Sequence, residues 1–127
     1  MSAIERVFTQ SAPPPGHYAQ AVKYGGLIFV SGQTPEEPGT GKPVKGTIEE
    51  QTRLVLSNIK AILEAAGSGL DKALKVNVYL SDIALKKRMG EVYKEFFPNN
   101  PPARIAMGVS GLDDALDVEI DVIAAAP

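Results

Sequence analysis

The chain has 127 residues, of which 44% are hydrophobic, and it carries a net charge of −2 and no cysteine. That length and apolar content suffice for one domain, residues 1–127, with a core that needs no disulfide or metal staple. The missing cysteine excludes disulfides, zinc–thiolate sites and a cysteine nucleophile, and the acidic balance argues against a nucleic-acid partner. No apolar run approaches the roughly 20 residues of a membrane span, and the N-terminus shows no signal pattern, so we expect a cytoplasmic protein. A mitochondrial location stays open.

The first part of the chain predicts a short strand followed by a hairpin. Residues 4–9 form the candidate strand, and residues 18–24 and 27–31 flank Gly25-Gly26, a two-residue hairpin signal. A Gly/Pro-rich loop over residues 32–46 follows. Its length fits a functional loop and a mobile surface loop equally well.

The first helix carries the clearest local signals in the sequence. Thr47 and Glu50 fit a capping box, and Gly67 supplies a stop. Apolar residues recur at helical spacing between these two ends. They are Ile48, Val55, Ile59, Ile62 and Ala66.

The second part of the chain predicts a strand, a helix and two further strands. Residues 74–80 alternate, with Leu74, Val76, Val78 and Leu80 expected on one face. A helix is expected from about 83 to 97, ended by Pro98. Residues 104–109 and 116–124 are the last two strands, and the final one alternates between apolar and acidic side chains.

The predicted order β-β-β-α-β-α-β-β indicates an α+β fold, with a mixed six-stranded sheet and both helices packed on one face. The second face of that sheet would carry Asn77, Tyr79 and Glu119. Either water or another subunit must cover it.

Elimination narrows the possible chemistry. His17 is the single histidine, which excludes a His-rich zinc site and makes a Ser-His-Asp triad a poor interpretation, so no metal is expected. No phosphate-binding glycine motif is present. What remains is Arg104 at a strand start and Glu119 inside an alternating strand. A guanidinium fork can bind a carboxylate, and a glutamate can position water or move protons. A cross-strand ion pair explains the same two residues.

Several segments, taken together, resemble the Rid family, also called YjgF-type proteins, which are reactive-intermediate imine/enamine deaminases. The resemblance covers nearly the whole chain. Its marks are GHYAQAV (16–22), SGQTPEEPGTG (31–41), NIKAILEAAGSGLD (58–71), VYKEFFPNNPPAR (92–104) and VEIDVIA (118–124).

The resemblance implies a chorismate-mutase-like fold and a homotrimer with clefts between subunits. It implies that Arg104 grips a substrate carboxylate and that Glu119 handles the attacking water across a subunit boundary. Tyr18 and the Ser31-Gly32 turn would line the pocket. The implied reaction is hydrolysis of 2-imino acids, or enamine tautomers such as 2-aminoacrylate, to 2-oxo acids and ammonia. No cofactor is implied, and the metabolic partner would be a pyridoxal-phosphate enzyme that releases the enamine.

Two pocket positions depart from the family pattern, and His17 also stands where proline is common. Gly90 stands where asparagine is common on the second helix, and Ala106 stands where cysteine is common two residues after Arg104. Both would lie in the substrate pocket, so they bear on which substrate is bound. They also favour a second hypothesis, a small-carboxylate-binding or chaperone-like trimer without turnover. A ribonuclease or translation inhibitor is the third, and the acidic charge counts against it.

Overall fold

A six-stranded mixed sheet with two helices on one face forms the structure, a computed structural model that describes residues 3–127. The strands are β1 Glu5–Val7, β2 Ala21–Tyr24, β3 Leu27–Gln33, β4 Ala73–Leu80, β5 Ala103–Gly108 and β6 Val118–Ala125. The helices are α1 Ile48–Ala65 and α2 Lys86–Phe96. The predicted fold class and element order are confirmed.

The sheet order is β1-β2-β3-β6-β4-β5. Only β4 and β5 pair in parallel, and every other neighbouring pair is antiparallel. Strand β6 therefore lies inside the sheet, between β3 and β4, although it comes last in the chain. Its side chains alternate between the two faces as in any strand, and the helices cover only one of these faces, so buried and partly exposed residues alternate along it.

Buried side chains of the central strands point to the helices and form the core. In β6, Val118, Ile120 and Val122 are buried on this face, while Glu119 and Asp121 lie on the other, which we call the open face. The alternation expected from the sequence is confirmed here. Leu74 is an exception, since it is 48% exposed at a register shift between β4 and β6 and does not join the core.

Local chemistry fixes the ends of the helices. The capping box is present, because the Thr47 hydroxyl accepts from the Glu50 N–H and the Glu50 carboxylate accepts from the Thr47 N–H. Gly67 adopts φ +83°, which favours glycine, directly after the last turn. The second helix begins later than expected, because residues 83–85 form a separate 3-10 turn. Among residues 3–127, no helix combines the length and apolarity needed to cross a bilayer.

A buried glutamine holds the segment that precedes β2. Gln20 is 1% exposed, and its side chain accepts from the Thr9 N–H and donates to the Thr9 and Pro13 carbonyls. These three bonds tie residues 9–13 to the start of the hairpin. They compensate for burying the amide, which would otherwise lose its hydrogen bonds to water.

We predict that Gln20→Leu lowers the free energy of unfolding by on the order of 2 kcal/mol, because it leaves buried backbone groups without partners. Urea denaturation measures the change. Gln10→Leu, at an exposed position, is the control and should stay within about 0.5 kcal/mol of wild type. Equal stability of the two variants would show that the Gln20 bonds contribute nothing.

Candidate functional site

Arg104 lies on the helix face of the sheet, beside α2. In the parallel pairing of β4 and β5 it stands opposite Val76, whose side chain is buried under the helices. The guanidinium carbon lies 4.8 Å from the centre of the Tyr93 ring. A cation in this position is attracted by the π-face, so the ring of α2 supports the guanidinium.

A cleft of about 730 Å³ opens between α2 and β5 next to this guanidinium. Its lining includes Gly90, Tyr93, Phe97, Pro101 and Arg104, and three exposed lysines, Lys86, Lys87 and Lys94, also border it. With Arg104 these lysines supply four positive charges, against one negative charge from Glu91. The cleft is therefore suited to an anion with an apolar part.

Of the two positions that depart from the family pattern, one lies in the cleft and the other does not. A Cβ added at Gly90 would meet no atom within 4 Å, so this position leaves open space. Ala106 is on the same face as Arg104 but packs against the core. It is absent from the residues that line the cleft.

Glu119 lies on the open face, against the backbone of Gly32. A Cβ at Gly32 would overlap Oε2 of Glu119 and lie 3.1 Å from its Cδ, so a side chain at this position would force the Glu119 carboxylate to move. The sequence led us to expect a turn at Ser31 and Gly32, and this expectation is wrong. They form a bulge within β3, because Val30 pairs with Val122 and Gln33 pairs with Ile120.

The environment of Glu119 raises the pKa of its carboxyl above the ordinary value of 4.5. Burial is the largest cause, followed by repulsion from Asp113, Asp121 and Glu36. No donor among residues 3–127 forms a hydrogen bond to this carboxylate, whereas neighbouring Asp121 accepts from Asn77 and Tyr79. A half-buried carboxylate of raised pKa is suited to accept and return a proton.

The bulge also connects to Tyr18. The Ser31 N–H donates to the Gln20 carbonyl at 2.9 Å, and the Ser31 hydroxyl donates to the Ala19 carbonyl at 2.6 Å. These bonds hold Tyr18, the residue before Ala19, near β3, the strand that carries Gly32. Tyr18 precedes β2 and is not part of that strand. Its side chain is 54% exposed and lines a depression with Phe8 and His17.

Within one chain, the predicted site residues form two separate groups. Arg104 and Gly90 lie on the helix side of the sheet, and Tyr18, Ser31, Gly32 and Glu119 lie around its open face. The alternative interpretation of Arg104 and Glu119 as a cross-strand ion pair is wrong. Strand β4 separates their strands, and their side chains lie on opposite faces of the sheet.

Tyr93 was not among the site residues predicted from the sequence. The available signal was its position three residues after Gly90, which places both on one side of α2. Its hydroxyl is buried without a hydrogen-bond partner among residues 3–127. In the same part of the chain, no cluster of three or more His, Asp or Glu side chains could hold a metal ion.

Residues 9–126 match the model of the family described as endoribonuclease L-PSP. A RutC family protein of Pyrococcus horikoshii is 51% identical, over 94% of this chain and 96% of its own. The crystal structure of yeast Mmf1, a relative named as mitochondrial in Saccharomyces cerevisiae, has a TM-score of 0.95 and 39% identity, covering 98% of this chain and 100% of that one. Escherichia coli TdcF, crystallised with bound serine, has a TM-score of 0.89 and 35% identity, with 97% and 99% covered.

We predict that Glu119→Gln is more stable than wild type at pH 7. Folding raises the pKa of the Glu119 carboxyl. The favourable contribution of this carboxyl to the free energy of unfolding is therefore complete below the pKa that it has in the unfolded chain, and it is lost as pH rises through its pKa in the folded chain. Glutamine keeps the shape and removes the charge. The advantage should shrink as pH falls toward 4.5, the ordinary value of the carboxyl. Thermal unfolding of wild type and Glu119→Gln between pH 4 and 8 measures this advantage, and the exposed Glu64→Gln is the control. A Glu119→Gln variant less stable than wild type at pH 7 would contradict the prediction.

Proposed function

Because the chain belongs to the Rid family, also called the RutC or YjgF family, we propose that it hydrolyses 2-imino acids and their enamine tautomers to 2-oxo acids and ammonia. One observation carries the proposal. Among residues 3–127, the Arg104 guanidinium has no carboxylate partner and the Glu119 carboxylate has no donor. A small anionic substrate and a water molecule are suitable partners for these two groups.

We further propose that a second copy of the chain completes the site. The basic residues around the cleft and the acidic residues around Glu119 are complementary, so the helix side of one copy would attract the open face of the next. Exposed apolar side chains on the open face, Phe29, Ile105 and Met107, would be buried in the same contact. Contacts between unlike surfaces of identical chains form a ring when the rotation between neighbours closes, and the family resemblance indicates a ring of three.

In the proposed reaction, the fork of Arg104 binds the substrate carboxylate. Glu119 takes a proton from water, whose hydroxide adds to C2 of the protonated imine and gives a tetrahedral aminoalcohol. The nitrogen then accepts the proton from Glu119. The freed Glu119 carboxylate takes the hydroxyl proton as the C2–N bond breaks and ammonia leaves, and Glu119 afterwards returns this proton to solvent. The products are a 2-oxo acid and ammonia, and the step needs no cofactor. The structure of TdcF with bound serine supports a site for small amino-acid-like carboxylates in a relative.

Two alternative functions can be tested with the same protein. A trimer that binds carboxylates without turnover is the alternative favoured by Gly90, because the commoner asparagine side chain is missing from the cleft. A ribonuclease agrees with the description of the family model. Freshly generated iminopropionate distinguishes the first alternative from a deaminase, and salt-dependent RNA binding tests the second.

We predict that Arg104→Lys and Glu119→Gln impair different steps. Lysine keeps the charge but loses the bidentate fork, so binding of pyruvate should weaken by about 2–5 kcal/mol, as measured by calorimetry. Glu119→Gln should lower turnover of iminopropionate by about 10²- to 10⁴-fold while pyruvate still binds.

Matched controls are Arg53→Lys and Glu64→Gln, which alter the same residue types at exposed positions of α1. Both should leave binding and turnover unchanged. Wild-type turnover by Glu119→Gln would exclude Glu119 as the proton-handling group, and wild-type binding by Arg104→Lys would exclude the carboxylate clamp.

The assembly gives a further prediction. At micromolar concentration, light scattering coupled to size exclusion should give the mass of three chains, each 13.5 kDa. The apolar and complementary surfaces described above are the physical reason. A monomer would contradict both the assembly and the shared site.

A further inference from the structure

The cleft beside Arg104 is much larger than a three-carbon acid requires. Its volume of about 730 Å³ is in the range of pockets that hold drug-sized ligands. Tyr93 and Phe97, which are 6% and 7% exposed, line it together with Pro101. These two rings lie 4.6 Å apart between centroids and form a continuous aromatic wall.

Gly90 determines how much of this space is free. It lies inside α2, where glycine costs about 1 kcal/mol relative to alanine, and its φ is not in the left-handed region. No neighbouring atom within 4 Å would obstruct a Cβ. Neither backbone geometry nor packing within residues 3–127 therefore requires glycine here, and what glycine provides is an unobstructed cleft.

We propose that this cleft binds the side chain of the substrate, and that Gly90 gives the protein a preference for 2-imino acids with bulky uncharged side chains. The inference rests on the proposed function, because it takes Arg104 as the carboxylate anchor. A carboxylate held on the guanidinium lies next to the Tyr93 ring on which that guanidinium is stacked. The rest of the molecule can then extend along the aromatic wall, past Gly90.

The charges of the cleft agree with this substrate class. Lys86, Lys87 and Lys94 around it attract the carboxylate common to all 2-imino acids and disfavour a cationic side chain. The Tyr93 hydroxyl is buried, so the aromatic wall exposes no hydroxyl to a short side chain. Selection among uncharged substrates therefore depends on the apolar area that the side chain buries.

Calorimetry with 2-oxo acids tests the preference without requiring turnover. Wild type should bind 4-methyl-2-oxopentanoate at least about tenfold more tightly than pyruvate. This ratio should fall slightly in Gly90→Ala and approach one in Gly90→Leu, because each added group fills more of the cleft. Both replacements favour the helix, so circular dichroism should show an intact fold. Lys60→Leu, which adds the same side chain on α1 outside the cleft, should leave the ratio unchanged.

The kinetic counterpart uses imines generated in situ from alanine and from leucine. The ratio of their kcat/KM values should follow the binding ratio through the same variants. Hydrolysis by wild type without preference for the leucine-derived imine, or a Gly90→Leu variant with the wild-type ratio, would overturn the inference and leave the proposed function intact. If wild type hydrolyses neither imine, the proposed function fails, whatever the binding ratio shows.

Discussion

The side chains of β6 alternate between the two faces of the sheet, so Val118 and Ile120 pack under the helices while Glu119 lies on the open face. Strand β5 pairs in parallel with β4 in a register that places Arg104 opposite Val76, on the helix side. One sheet thus separates a basic cleft from an acidic group. A single chain cannot bring both to one small molecule, and the proposed chemistry depends on a second copy.

The surroundings of Glu119 on the open face disfavour its charged carboxylate. Its carboxylate is half-buried, repelled by three acidic neighbours and given no donor among residues 3–127. The bulge in β3 and the absence of a side chain at Gly32 give it room. Asp121, two residues along the same strand, receives bonds from Asn77 and Tyr79 instead. That contrast between two carboxylates is typical of a functional position.

Much of the fold followed from local patterns, because capping, periodicity and turn residues act over a few positions. The capping box at Thr47, the hairpin at Gly25-Gly26 and the alternation of β6 are such cases. Register was less predictable, since it depends on pairing between distant strands. The sequence therefore could not show that the Ser31-Gly32 segment is a bulge. It could not show on which side of the sheet Arg104 lies, because β5 is exposed on nearly all its residues. The contact of Arg104 with Tyr93 joins β5 to α2, so the sequence of either segment alone does not predict it.

The most direct test of a site shared between copies is to mix two inactive variants. Arg104→Ala retains Glu119, and Glu119→Gln retains Arg104. After unfolding and joint refolding at equal amounts, about a quarter of the contacts should join an intact Arg104 of one copy to an intact Glu119 of the next. A shared site predicts that about a quarter of the wild-type rate on iminopropionate returns in the mixture and not in either variant refolded alone. A mixture no more active than its components would contradict it.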